Sequence, residues 1–296
     1  MRLAVRPLDL FGFIAIMIVW GSNFAVSKVG LQELPPILLV GLRFMIVAAL
    51  LVPFVKVPKG KLLGVFAVSV VLGFLHFSLM FTGLTGIDAS TAAISIQLQV
   101  PFAAILAALA FGETVGWRRA LGMAIAFAGV AVIAGEPRLD GAYGSLALVL
   151  SAALVWAVAN VLVKRLDDIN GTQLNAYMAA FAFPQLFFAS FLLEGGQWDA
   201  LASADWLTVG LVLAYQSVIV VVLGYGLWYA LLGRYDVNIA MPFTLMVPFF
   251  GVASGVIALG EPLTWRLLAG GAMTVIGVGI VTIRRPRVTG PTLERT

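Results

Sequence analysis

The stretch "GETVGWRRALGMAIAFAGV", Gly112 to Val130, returns as "GEPLTWRLLAGGAMTVIGV" from Gly260 to Val278. At a constant offset of 148 residues, Gly112/Gly260, Glu113/Glu261, Trp117/Trp265, Arg118/Arg266, Gly122/Gly270, Ala124/Ala272, Gly129/Gly277 and Val130/Val278 coincide. Small and apolar coincidences come easily in a chain that is 61% hydrophobic, whereas matched Glu, Trp and Arg do not. "LQVPF" (Leu98 to Phe102) and "LMVPF" (Leu245 to Phe249) precede the two blocks at an offset of 147. Further upstream, "WGSNFAVSK" (Trp20 to Lys28) and "WAVANVLVK" (Trp156 to Lys164) share Trp and Lys at one spacing, with an Asn three or four residues after the Trp. Self-similarity of this kind divides a chain into units, here residues 1–138 and 139–296.

Each unit carries too little charge for a soluble domain. Charged residues make up 11% of the 296 residues, and the mean hydropathy is +1.05, against about 25% charge in ordinary globular chains. Charge-free runs cover Leu10 to Ser27, Leu62 to Ile87, Ala89 to Gly112, Gly141 to Val163, Ile169 to Leu193, Trp206 to Gly233 and Val237 to Gly260. Most reach the roughly 20 apolar residues that a spanning helix needs. Leu34 to Val55 (which holds Arg43), Ala120 to Gly135 and Leu267 to Ile283 are shorter or interrupted, and complete ten spans. The expected fold is an all-α integral membrane protein. Met1 to Val29, with Arg2 and Arg6, could be read as a signal peptide, but with nine spans following, a retained first helix is expected.

A net charge of +4 does not point to nucleic acid, because the basic residues sit in short loops. With a cytoplasmic N-terminus, the inside segments hold fourteen of them: Arg2, Arg6, Lys56, Lys59, Lys61, Arg118, Arg119, Lys164, Arg165, Arg234, Arg284, Arg285, Arg287 and Arg295. The outside loops hold Lys28, Arg138 and Arg266. That imbalance follows the positive-inside rule and places both termini in the cytoplasm. Five spans per unit is an odd number, so the second unit enters from the opposite side, with Glu113 inside and Glu261 outside. Inverted repeats are a frequent plan of secondary transporters, whose alternating access exchanges the conformations of the two halves. Pro101 and Pro248 then stand at matching points of spans four and nine, where interrupted helices mark a hinge or a substrate site; the competing reading is an ordinary packing bend.

With "WGSNF" (Trp20 to Phe24), "GLRF" (Gly41 to Phe44) and the Gly-Glu pairs at 112 and 260, the chain resembles the EamA-type family of the drug/metabolite transporter superfamily over nearly its whole length. The resemblance implies ten helices in a five-plus-five inverted arrangement. It also implies export of small metabolites, often amino acids and their derivatives, across a bacterial inner membrane. The four-helix multidrug relatives carry a membrane-buried Glu, which no span has here; Asp88, Glu113, Asp236 and Glu261 all lie at span ends.

Polar groups at membrane depth are the functional candidates. His76, the only histidine, is a substrate ligand, a proton shuttle or a packing residue. Arg43, about 10 Å along its helix from Pro36, grips a substrate carboxylate through its planar fork or bonds carbonyls of neighbouring helices, with Gly41 allowing close approach. Trp20 with Asn23, and Trp156 with Asn160, each share a helix face and are expected to oppose each other across a central cavity. Gln97 and Gln99 cannot share a face, so one lines the cavity while the other bonds a neighbour. Gln185, Gln216, Tyr225 and Trp228 complete the substrate-binding candidates. The glycines at 122, 129, 270 and 277 are read as helix-packing stripes.

No cysteine is present, which removes disulfides and thiolate metal sites, and no metal or cofactor is expected. One histidine and no core acid argue against an enzyme. Gly60-Lys61 lacks the upstream glycine of an ATP-binding loop, and no charged ring or carbonyl filter suggests a channel. The expectation is a monomeric carrier exporting an amino acid or related small metabolite through the lipid bilayer. Cation or multidrug efflux is the alternative, with a lipid-linked sugar flippase behind it.

Overall fold

Ten helices long and apolar enough to cross a membrane lie among the described residues: α1 (Pro7–Gly30), α2 (Pro36–Phe54), α3 (Leu62–Gly86), α4 (Ala89–Ala110), α5 (Trp117–Ala134), α6 (Tyr143–Lys164), α7 (Gly171–Leu193), α8 (Trp206–Leu232), α9 (Met241–Leu259) and α10 (Trp265–Thr282). The computed structural model describes residues 5–111, 115–166 and 169–282. Gly112 and Glu113 fall outside them, as do Arg2, Arg284, Arg285, Arg287 and Arg295, so the expected placement of Glu113 falls there too. A short helix, Gln197–Ser203, joins α7 to α8.

Local chemistry sets the helix ends. Proline opens α1 and α2, where a missing N–H is harmless. The side chain of Asn170 accepts from Gln173 N at 2.7 Å to cap α7, and that of Asp205 accepts from Leu207 N at 3.1 Å to cap α8. Gly260 ends α9 with φ of +67°, a left-handed turn that glycine takes without strain.

Four helices depart from regular α geometry. Tightened 3₁₀ turns occupy Ile96–Leu98 in α4 and Met241–Met246 in α9, just ahead of buried Pro101 and Pro248. Proline has no N–H for the i−4 carbonyl, and the i→i+3 pattern of a 3₁₀ turn relieves that loss. In α3 and α8 the helix instead widens, with π-type turns over Ser69–His76 and Tyr215–Tyr225. Such widenings have no residue signature comparable to proline.

Packing pairs α5 with α10, α2 with α7, α1 with α9, α4 with α6, α3 with α6, α1 with α8, and α4 with α9. The α5–α10 contact is made by the glycine stripes. A Cβ at Gly129 would stand 2.5 Å from Gly270 O, one at Gly270 2.5 Å from Gly129 O, and one at Gly277 2.5 Å from Ala126 N. Gly41 likewise admits Phe187, 2.9 Å from where its Cβ would be. Gly129→Ala is expected to lower thermal stability in detergent by about 1–3 kcal/mol through overpacking. Gly210→Ala in α8, with nothing within 4 Å, should leave the melting temperature unchanged or slightly raised.

The loops at each end of the bundle are cross-linked. At one end Lys28 Nζ donates to Leu84 O (2.8 Å), Thr85 O (3.2 Å) and Ile87 O (2.6 Å). There the Glu194 carboxylate accepts from Ile37 N and Leu38 N at 2.7 and 3.1 Å, Glu33 accepts from Asp205 N at 2.9 Å, and Thr264 donates to Glu136 at 2.7 Å. Arg138 pairs with Asp88 at 3.2 Å. At the other end the Asp9 carboxylate, 6% exposed, accepts from Tyr235 OH at 2.6 Å and pairs with Arg234 at 3.0 Å. Gln173 Nε2 donates to Lys56 O at 2.6 Å there.

Candidate functional site

A cluster of polar and aromatic side chains lies where α1, α2, α3 and α8 meet. Trp20 on α1 is half-buried, with its ring 4.9 Å from Tyr225 and 5.4 Å from Trp228 on α8. Gly224 leaves room for the indole, since a Cβ there would be 3.1 Å from Trp20 Nε1. That indole N–H is buried without a hydrogen-bond partner among the described residues, and so is Asn23 Oδ1 one turn on. Buried polar atoms are normally bonded, so two open valences on one face need an explanation.

Arg43 deepens the pattern. It is 4% exposed, and its guanidinium stands 5.0 Å from the Phe77 ring and 5.6 Å from the Phe44 ring. Nε and Nη1 are buried without acceptors, so the expected bonding of Arg43 to carbonyls of neighbouring helices is not what these nitrogens do. The Phe77 ring is shared between Arg43 and His76, whose ring stands 4.8 Å from it. Ser217 donates to the Arg43 carbonyl at 3.3 Å, fixing the widened turn of α8 against α2.

His76 is buried beneath, edge-on to Phe77 at 4.8 Å, with Nδ1 2.9 Å from Ala152 O on α6. A carbonyl only accepts, so Nδ1 carries the proton and Nε2 is the free position of the neutral ring. Gln216 is wholly buried; its Nε2 donates to Ser27 Oγ at 2.9 Å while Oε1 lacks a partner. Gln185 is committed to scaffold, donating to Ser69 Oγ at 2.9 Å and Phe181 O at 2.7 Å.

The remaining candidates are not drawn into this cluster. Trp156 and Asn160 are half-buried on α6, and neither makes a hydrogen bond or ring contact among the described residues. Gln97 is buried in the 3₁₀ turn of α4 and Gln99 is half-buried just beyond it. Sequence reasoning missed Tyr215, whose hydroxyl donates to Val19 O at 3.0 Å and meets Ser22 Oγ at 2.8 Å. It also missed Tyr229, 6.2 Å from the Tyr225 ring. Ser22, inside the quoted "WGSNF", carried the available signal.

A separate groove of about 560 Å³ runs between α9 and α10 past Pro248, Phe249, Val252 and Gly271. Every residue lining it is apolar, and Phe249 and Ile257 on its wall are 69% and 83% exposed. It offers no polar group to orient a solute.

At one end of the bundle, Glu261 is 8% exposed and accepts from Ala89 N at 2.6 Å, from Ser90 N at 2.9 Å and from Ser90 Oγ. The carboxylate thereby satisfies the first N–H groups of α4 and meets its positive dipole end. Lys28 holds the last carbonyls of α3 two residues away. The α3–α4 corner is clamped between an anion and a cation, and Asp88 at its tip has its pKa raised by burial and by the Glu261 charge, against Arg138 and Lys28. Ionised Asp88 therefore weakens the fold above that raised value, and the penalty disappears as pH falls towards the unfolded value. Asp88→Asn should give its largest gain in melting temperature near neutral pH and none in acid, in thermal scans across pH.

Ten apolar helices around a partly unsatisfied polar cluster define a multi-pass membrane protein built to hold a small solute. The chain belongs to the EamA-like transporter family, whose sequence profile matches residues 8–135 and again 144–283. A Salmonella typhimurium protein named "Probable amino-acid metabolite efflux pump" is 35% identical, over 94% of this chain and 98% of its own. An Escherichia coli protein of the same name is 34% identical, over 90% of this chain and 91% of its own. A Bacillus subtilis protein, "Uncharacterized transporter YvbV", is 31% identical over 94% of this chain and 92% of its own. A crystal structure of a protein 19% identical has the same fold, with a TM-score of 0.60 over 94% of this chain and 97% of that one.

Proposed function

We propose that the protein exports amino acids or their derivatives across a bacterial inner membrane by alternating access, as a monomer. The observation that carries this reading is the set of buried polar atoms of Trp20, Asn23 and Arg43 without partners among the described residues, beside the rings of Trp20, Tyr225 and Trp228. Donors, an acceptor and a cation without a partner suit a zwitterion. The names of the Salmonella and Escherichia relatives support the same solute class.

Alternating access rests on two inverted halves, 1–138 and 139–296, with both termini cytoplasmic. Exchanging helix numbers one to five with six to ten converts each packing pair into another of the set: α1–α9 becomes α6–α4, and α3–α6 becomes α8–α1. The paired 3₁₀ turns of α4 and α9 and the paired widenings of α3 and α8 follow the same exchange. Pro101 and Pro248 are the hinges on this reading. Trp20, Asn23, His76, one of Gln97 and Gln99, Trp156, Asn160, Gln216, Tyr225 and Trp228 face the solute at some stage of the cycle, and Gln185 holds the frame.

Purified protein in proteoliposomes, offered a panel of amino acids with and without a pH gradient, tests the proposal. Uptake of at least one amino acid is expected. Movement of hydrophobic cations with no amino acid moving would replace the reading by drug efflux. Loss of gradient dependence in His76→Ala would make that ring the proton carrier. The native chain has no cysteine, so single cysteines at positions 116 and 262, exposed in the loops that follow Glu113 and Glu261, report topology directly. They are expected to label from opposite sides.

A further inference from the structure

We infer that Arg43 is the carboxylate receptor of the transported solute. The inference rests on the amino-acid reading above and deepens it. A guanidinium is charged at any physiological pH. Burying it without a counter-anion is strongly unfavourable, because desolvation is not offset by pairing. Among the described residues no carboxylate pairs with Arg43, and two of its nitrogens have no acceptor at all. Phe44 and Phe77 supply ring faces, which moderate the charge and leave the N–H directions open. The arrangement is stable as a structure and incomplete as a binding set, and a planar two-oxygen anion completes it.

Two further observations bring that anion to the same place. The widened segment of α3 ends at His76, which shares the Phe77 ring with Arg43, and that of α8 runs from Tyr215 to Tyr225 and holds the Arg43 carbonyl through Ser217. Such widenings recur where a helix must re-aim side chains at a functional site. Tyr225 is half-buried and packs its ring against Trp20. A solute held by Arg43 through its carboxylate lays its apolar part on the Trp20 and Tyr225 rings. The Trp20 indole N–H and the Asn23 carbonyl oxygen then remain for the solute's other polar groups; the carbonyl accepts from an ammonium. On this view a free carboxylate is obligatory, while the side chain and the amino group are read more loosely.

The test uses reconstituted full-length protein and competition for transport by L-phenylalanine, L-phenylalaninamide and phenethylamine. Wild-type protein is expected to prefer the acid over the amide and the amine by at least about tenfold, the range for losing hydrogen bonds to a charged group. Arg43→Gln is expected to raise KM for the acid by a similar factor and to abolish the preference. Arg43→Lys, which keeps the charge and loses the fork, should retain part of it. If Arg43→Gln does not accumulate as a monodisperse species, acid-over-amide protection of the wild type in thermal-shift measurements decides alone. Wild-type transport of phenylalanine with the amide competing equally well would overturn the role of Arg43 and leave amino-acid export standing. Failure of every amino acid in the panel would overturn both.

Discussion

Glu261→Ala is expected to be among the most damaging single changes outside the cluster, lowering stability by about 3 kcal/mol. The carboxylate satisfies two backbone N–H groups and a hydroxyl while only 8% exposed, so its removal strands buried donors where neither protein nor water replaces it. The positive end of α4 also loses the anion that meets it. Thermal unfolding of detergent-solubilised protein measures the loss. Glu261→Gln keeps the shape but turns one oxygen into a donor facing donors, and should recover only part of it. Glu194→Ala provides an internal comparison, because Glu194 does for Ile37 and Leu38 on α2 what Glu261 does for α4. Being half-buried, it should lose about 1 kcal/mol. Equal losses for the two would mean that burial does not set the size of the effect.

Trp20→Ala should abolish transport and also loosen the fold, by about 3–5 kcal/mol, the range for deleting a large packed ring. It empties the space between Tyr225 and Trp228 and deprives the cluster that continues through Trp228 to Phe13, 6.0 Å away. The informative change is Trp20→Phe. Phenylalanine keeps a ring against Tyr225 and, with part of the ring volume, removes the indole N–H, which has no partner among the described residues. Stability near wild type with a raised KM would assign that N–H to the solute; an unchanged KM would assign it no role. Trp156→Phe, at a ring with no contact among the described residues, should be nearly silent in unfolding experiments, so any transport defect there reports solute contact alone.

The spanning helices were legible because lipid leaves little choice: a run of about 20 apolar residues must satisfy its own backbone, and only a helix does so. The breaks at Pro101 and Pro248 were legible for a similar reason, since a missing N–H announces itself in the sequence. The widened turns of α3 and α8 were not, because Ser69–His76 and Tyr215–Tyr225 spell ordinary apolar helix. Trp20, Tyr225 and Trp228 could be nominated by residue type, but their convergence depends on how α1 crosses α8. The clamp was half visible. Glu261 stood out through the repeat, yet its partners are backbone N–H groups, which every residue offers equally. Arg43 was flagged as costly at that depth; that its nitrogens lack acceptors is a property of the packing around it.

The carboxylates that finish α2 and α4 arrive late. Glu194 follows Ile37 by 157 residues, and Glu261 follows Ala89 by 172. At ribosomal speeds of about 5–20 residues per second, α4 spends roughly 10–30 seconds in the bilayer before the group that closes its first turn is made. During biogenesis that turn must borrow water or lipid headgroups, and it settles only when nearly the whole chain has been threaded. Truncations ending before residue 261 should therefore be cleared by membrane proteases more quickly than their length alone would suggest.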